Sequence, residues 1–202
     1  SHILIDREEH GYDVMGIKKL ALNGQSTAQI FLSDVRVPVS NTLGEQGQGL
    51  KNTMKLFEYA RCHMAMWGVA TARRALDESI KYSQERSQHG KPIAGHQLIA
   101  DKLATMATQV DAARLLAYRA ITLVESGIRA DKECSMAKWY GTEIAVNATR
   151  DAVQIHGGNG VTKEFVVERL AREALISPIP DGTTEIQKLL IARCLTGIQA
   201  FK

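Results

Sequence analysis

Apolar positions follow two different periods along this chain. In the N-terminal stretch they come in short runs, "HILI" (2–5), "YDVMGIKKLAL" (12–22) and "TAQIFLSDVRVP" (27–38), rich in β-branched and aromatic residues and broken by Asn23-Gly24. Such runs predict strands. Three strands are too few to close a barrel or sandwich, so this part reads as the tail of a β domain. The glycine-rich "NTLGEQGQG" (41–49) ends it.

Beyond that linker the period becomes helical. No proline or turn cluster interrupts Leu50 to Ser87, which predicts one helix roughly 50 Å long at ~1.5 Å per residue. Gly90-Lys91-Pro92 breaks it. Next, Ile99, Leu103, Met106, Val110, Ala113, Ala117, Ala120 and Val124 alternate by four and three, the seam of a helix packed along its neighbours in a bundle. Gly127 is the predicted stop and Asp131 the predicted N-cap of a third helix, which runs to Ile155 before "HGGNG". A short helix over Phe165–Glu173 and a last one over Thr184–Leu195 follow. The predicted fold is mainly α, an antiparallel four-helix-type bundle (47–202) preceded by a truncated β-domain remnant (1–46).

Composition narrows the function classes. With 202 residues, 45% hydrophobic and 23% charged, the chain is long enough for a real core. A net charge of +3 without a basic stripe gives no footprint for nucleic acid. Cys62, Cys134 and Cys194 are dispersed, which argues against a disulfide framework or a metal site and for a reducing compartment, the cytoplasm or the mitochondrial matrix. No apolar run approaches the ~20 residues of a membrane span, and no signal peptide opens the chain.

Four segments could carry chemistry, and each has a plainer reading. In "QIHGGNG" (154–160) the glycines either end a helix or let a phosphate approach the backbone, and His156 is a cap or a ligand. In "ERSQHGKP" (85–92) Arg86 either complements a helix dipole or clamps phosphate. In "FEYARCHM" (57–64) Glu58 and Arg61, at i and i+3, form a surface ion pair or aim inward at a ligand. In "SPIPDGTTEIQ" (177–187) Asp181 either shapes a turn or acts on a substrate.

In this order the segments resemble the C-terminal part of the flavin-dependent acyl-CoA dehydrogenases. "STAQIFLSDVRVPVSNTLGEQGQGL" is similar to the end of that family's middle β domain, and "ARRALDESIKYSQERSQHGKPIAGHQLIADKLATM", "DAVQIHGGNGVTKEFVVERLAREA" and "DGTTEIQKLLIAR" to its helical domain. The resemblance implies FAD bound between subunits of a homotetramer built as a dimer of dimers, acyl-CoA as substrate and an electron-transfer flavoprotein as acceptor. It implies that Arg86 reaches the FAD pyrophosphate of a neighbouring subunit with Gln88 beside it, and that His96, Gln97, Gln154, Gly157, Gly158, Thr183 and Glu185 also contact FAD. Glu58 and Arg61 would line the acyl-CoA channel, with Gly182 on the substrate side. His89 departs from the family, which usually has phenylalanine there.

Asp181 stands where most of the family has the glutamate that removes the substrate α-proton. In a minority the base lies on the first long helix, at the position of Ala60, which has no carboxylate here. Two other activities fit the resemblance: a catalytically silent subunit of a heteromeric dehydrogenase, and an acyl-CoA oxidase that passes electrons to oxygen.

Overall fold

A computed structural model describes residues 1–200. It divides into two compact units, Ser1–Phe57 and Glu58–Lys202. In the first, β1 (His2–Ile3) pairs antiparallel with β4 (Thr42–Leu43), and β2 (Asp13–Gly16) with β3 (Ala28–Phe31). A single-turn helix, α1 (Arg7–His10), is capped by Asp6, whose carboxylate accepts the N–H groups of Glu8 and Glu9. The ladders are shorter than the expected strands. Leu22 and Asp34 adopt φ of 56° and 52°, a left-handed backbone that no extended run can include. Asn23-Gly24 forms its expected turn, closed by the Gln25 N–H on the Leu22 carbonyl at 3.0 Å.

The second unit is built on three long helices, α2 (Gly49–Glu85, in this unit from Glu58), α3 (Gln97–Glu125) and α4 (Asp131–His156). Their directions follow from two buried clusters. One joins Cys62 and Ala65 of α2 to Ala117–Val124 of α3 and Cys134–Ala137 of α4. The other joins Val69–Leu76 of α2 to Met106–Ala113 of α3 and Ile144–Ile155 of α4. So α3 runs antiparallel to α2 and α4, which are parallel to each other. The expected seam of α3 is buried from Met106 to Val124, and Ile99 and Leu103 are partly covered at its start.

Small residues bring α2 and α4 into backbone contact. A Cβ on Gly68 would lie 2.3 Å from the Gly141 carbonyl oxygen, and one on Gly141 would lie 2.9 Å from that of Ala65. The same approach sets the Cys62 and Cys134 sulfurs 3.6 Å apart as free thiols. Dispersed along the chain, these two cysteines are neighbours in space.

Two shorter helices, α5 (Val167–Ala174) and α6 (Thr184–Thr196), pack against α4. Expected from Phe165, α5 starts later because Phe165 is held in an aromatic cluster, edge-on to Tyr82 and His156. Gly127 ends α3 at φ 71° as expected, but Asp131 is not the N-cap. That position is Ala130, since the Asp131 carboxylate turns instead to Arg129 at 2.6 Å and Arg61 at 3.9 Å.

Candidate functional site

Where α2 ends, the chain forms a tight hairpin, β5 (Ser87–Gln88) with β6 (Lys91–Pro92). His89 and Gly90 occupy its tip with φ of 51° and 79°, a two-residue turn whose twist matches the strands. The His96 Nε2–H donates to the Gln88 carbonyl at 3.2 Å, tying the hairpin to the start of α3. Facing this hairpin is the end of α4. The His156 Nδ1–H donates to the Ala152 carbonyl at 2.8 Å, and its buried ring stacks on Tyr82 at 4.2 Å. Between them lies a cavity of about 600 Å³ that brings together Arg86, Gln88, His96, Gly157 and Gly158. His89, Tyr82 and Asn159 also line it.

The three glycines of "HGGNG" do different things. Gly157 has φ 59° and ψ −134°, a backbone that strongly favours glycine. Gly160 packs so closely that a Cβ would meet the Val153 carbonyl oxygen at 2.4 Å. Gly158 has neither restriction, for its φ is not positive and its Cβ position opens on empty space. With Arg86 exposed across from it, the cavity presents a guanidinium and an uncovered backbone, a donor set that suits an anionic ligand. Gln97 and Gln154 are exposed and do not line this cavity. The Gln154 carbonyl instead accepts the Gly157 N–H that closes α4.

Asp181, Gly182, Thr183 and Glu185 come together at a second place, the loop leading into α6. Half-buried Asp181 has φ 57° and Gly182 has φ 93°. The left-handed region costs a non-glycine residue roughly 1 kcal/mol or more, and two buried side chains hold it. Gln187 donates from Nε2 to the carbonyls of Asp181 (3.1 Å) and Gly182 (2.9 Å). Lys138, fully buried on α4, donates from Nζ to those of Pro178 (2.6 Å) and Gly182 (2.8 Å). Burial pulls the Lys138 ammonium down to about 8, against the opposing pull of Asp181, Glu143 and Glu185. Thr183 hydrogen-bonds the Glu185 carboxylate, which holds it below its usual range together with the Glu185 N–H.

Glu58 and Arg61 do not form an isolated surface pair. Arg61 is buried and reaches Asp131, and the Glu58 carboxyl is raised by burial and by the adjacent Asp131 carboxylate. Arg61 also bears on Lys138, lowering its proton affinity, so Arg61 belongs to the same electrostatic neighbourhood as the Asp181 loop.

Sequence reasoning missed Lys138 and Gln187. The signal for Lys138 was available: it shares a helix face with Cys134, Gly141 and Ala145, all buried. A lone lysine on a stripe of small apolar residues needs partners inside the fold.

The family model described as "Acyl-CoA dehydrogenase, C-terminal domain" matches residues 47–196. The chain belongs to the acyl-CoA dehydrogenase family. It is 41% identical to the caffeyl-CoA reductase–Etf complex subunit CarC of Acetobacterium woodii, over 96% of this chain and 52% of that protein. It is 39% identical to an acyl-CoA dehydrogenase of Bacillus subtilis, over 98% and 52%. Butyryl-CoA dehydrogenase of Megasphaera elsdenii superposes with a TM-score of 0.92 at 33% identity, over 96% of this chain and 51% of that one. The chain therefore spans about half the length of the curated relatives it matches. Among the described residues, no helix is long and apolar enough to cross a membrane, and no cluster of three or more metal-ligating side chains occurs.

Proposed function

We propose that this chain is the helical half of an FAD-dependent acyl-CoA dehydrogenase, with residues 1–46 the end of a β domain and 47–202 the helical domain. Asp181 is the base that removes the α-proton of an acyl-CoA thioester. When bound, FAD accepts the hydride lost from the substrate β-carbon. The observation that carries the reading is the built loop of Asp181: a half-buried carboxylate on a left-handed backbone, held from below by Lys138 and Gln187. Ala60 offers no competing carboxylate.

The residues present fit the cofactor. Arg86 is suited to a pyrophosphate, and the open backbone at Gly158 gives it room to approach. Gln88, His96 and Gly157 complete that wall, and Thr183 and Glu185 meet the flavin side beyond the base. Glu58 and Arg61 line the route of the thioester. The assembly is a homotetramer in which Arg86 serves a neighbouring subunit's FAD, and an electron-transfer flavoprotein takes the electrons.

An α-proton beside a thioester is a weak acid, so its removal needs a carboxylate within hydrogen-bond reach in a water-poor site. Aspartate is one methylene shorter than the family's usual glutamate, and a misplacement of about 1 Å can cost roughly 100-fold in rate. The constrained backbone between Pro178 and Gly182 supplies the compensating position. Run in reverse, the same carboxyl returns a proton to the α-carbon of an unsaturated thioester, a direction favoured by the likeness to a caffeyl-CoA reductase subunit.

Anaerobic flavin bleaching by a panel of acyl-CoAs tests the assignment. In the full-length enzyme Asp181→Asn is expected to retain FAD and acyl-CoA binding while flavin reduction falls by about 100- to 10,000-fold, and Asp181→Glu to retain measurable rate. Flavin reduction by Asp181→Asn at the wild-type rate would return Asp181 to the role of a turn former.

A further inference from the structure

Lys138 is the largest fully buried side chain of the molecule among the described residues, and the bundle has no packing need for an ammonium there. Its buried neighbours one turn away on α4, Cys134, Ser135, Gly141 and Thr142, are all small and none is acidic, and methionine would fill the same space. What the ammonium does contact is specific. Pro178 and Gly182, whose carbonyls it binds, bracket Asp181 on both sides, and Gly182 is the residue through which the chain turns into α6. The charged groups that face it are Asp181 from the loop, Glu143 from its own helix, Glu185 from α6 and Arg61 from α2.

We propose that Lys138 is the positioning residue of the active site: its protonated, buried ammonium clamps the Pro178–Gly182 loop and so sets where the Asp181 carboxylate meets the substrate. The inference rests on the reading of Asp181 as the base. It assigns Lys138 no contact with substrate. The clamp has two parts, since the third N–H and the positive charge are lost together on deprotonation while the side chain remains in place. Geometry and charge are therefore separable by pH. Burial brings the ammonium down to about 8, inside the range where flavin reduction can be followed.

The test compares the wild-type full-length enzyme with Lys138→Met, which keeps the length of the side chain and deletes the ammonium. Wild-type flavin reduction is expected to fall on the alkaline side with an apparent pKa near 8. In Lys138→Met the rate at pH 7 is expected to drop by about 10- to 100-fold, the scale of a sub-ångström to 1 Å misplacement. FAD content and acyl-CoA affinity should stay within about threefold, and the alkaline fall should vanish. A merely structural lysine would lower the rate and leave the alkaline limb in place, which overturns the proposal.

A second readout does not use activity. The unfolded chain keeps this proton up to 10.5 and the folded one releases it near 8. Between those values the unfolded state binds more protons, so the wild type gains stability with rising pH relative to Lys138→Met. Parallel stability–pH curves for the two proteins would also overturn the proposal. Should Lys138→Met fail to accumulate, Lys138→Arg takes its place: its guanidinium stays charged throughout, so the alkaline fall should vanish, and a limb kept at its wild-type position overturns the proposal. Asp181→Asn separates the two levels of inference. If it reduces flavin normally, the base reading falls and takes the clamp with it. If it is inactive while Lys138→Met keeps the wild-type profile, only the clamp falls.

Discussion

His156 shows how one side chain can serve packing and cavity at once. Its imidazole is lowered in pKa by burial, which outweighs the opposing effects of the Ala152 carbonyl and of Glu78. Well above 6.5 both folded and unfolded states hold a neutral ring and the group contributes no pH dependence. As pH falls through that value the unfolded chain takes up a proton that the folded protein refuses, so stability declines until the folded pKa is passed. Denaturant midpoints between pH 7.5 and 5.5 should therefore fall in the wild type. In His156→Phe, which preserves the stack on Tyr82, that part of the decline should be absent.

At the scale of elements, α2 and α4 meet at a glycine crossing. Gly68 and Gly141 let α2 and α4 approach until backbone meets backbone, and no side-chain rotamer can relieve a methyl group inserted there. Gly68→Ala should cost about 1–3 kcal/mol, the usual range for overpacking, visible as a lower denaturation midpoint. Gly158→Ala is the contrasting case. Its Cβ would meet nothing in the chain, so stability should hold while FAD affinity drops if the cofactor approaches that backbone. Unchanged affinity would leave Gly158 with no ligand to accommodate. The helix boundaries carry a similar lesson. Asp131 has the composition of an N-cap, yet the two arginines within its reach draw its carboxylate away from the helix end.

For the whole molecule, the proposed tetramer makes Arg86 a residue that acts across a subunit boundary. Exposed in the single chain, it would be covered only when a neighbour brings its pyrophosphate. Removing a charge-assisted hydrogen bond of this kind costs about 1.5–3 kcal/mol. Arg86→Ala should lower FAD affinity by that amount, roughly 10- to 150-fold, as measured by flavin fluorescence titration of the full-length protein. Undiminished affinity would leave Arg86 as a helix-end charge.

What the sequence determined by itself were the features written in local periods and local stereochemistry. The four–three seam from Met106 to Val124 is buried as its spacing predicts, Asn23-Gly24 and Gly127 turn where they should, and the long helices occupy their expected spans. These depend on neighbours three or four residues away, which the chain itself specifies. Resemblance carried the family in the same way, because ordered motifs survive as strings. The contacts that build the site were decided only by tertiary structure. Lys138 lies 40 residues from Pro178 and 44 from Gly182, Arg61 answers to Asp131 as well as lying one helical turn from Glu58, and Cys62 meets Cys134 across 72 residues. A buried ammonium gains its partners only when α4 and the loop before α6 are brought together, and no local rule says which carbonyls those will be. That docking makes the backbone at Asp181 a held position, where the string "PDGT" alone reads equally well as a turn.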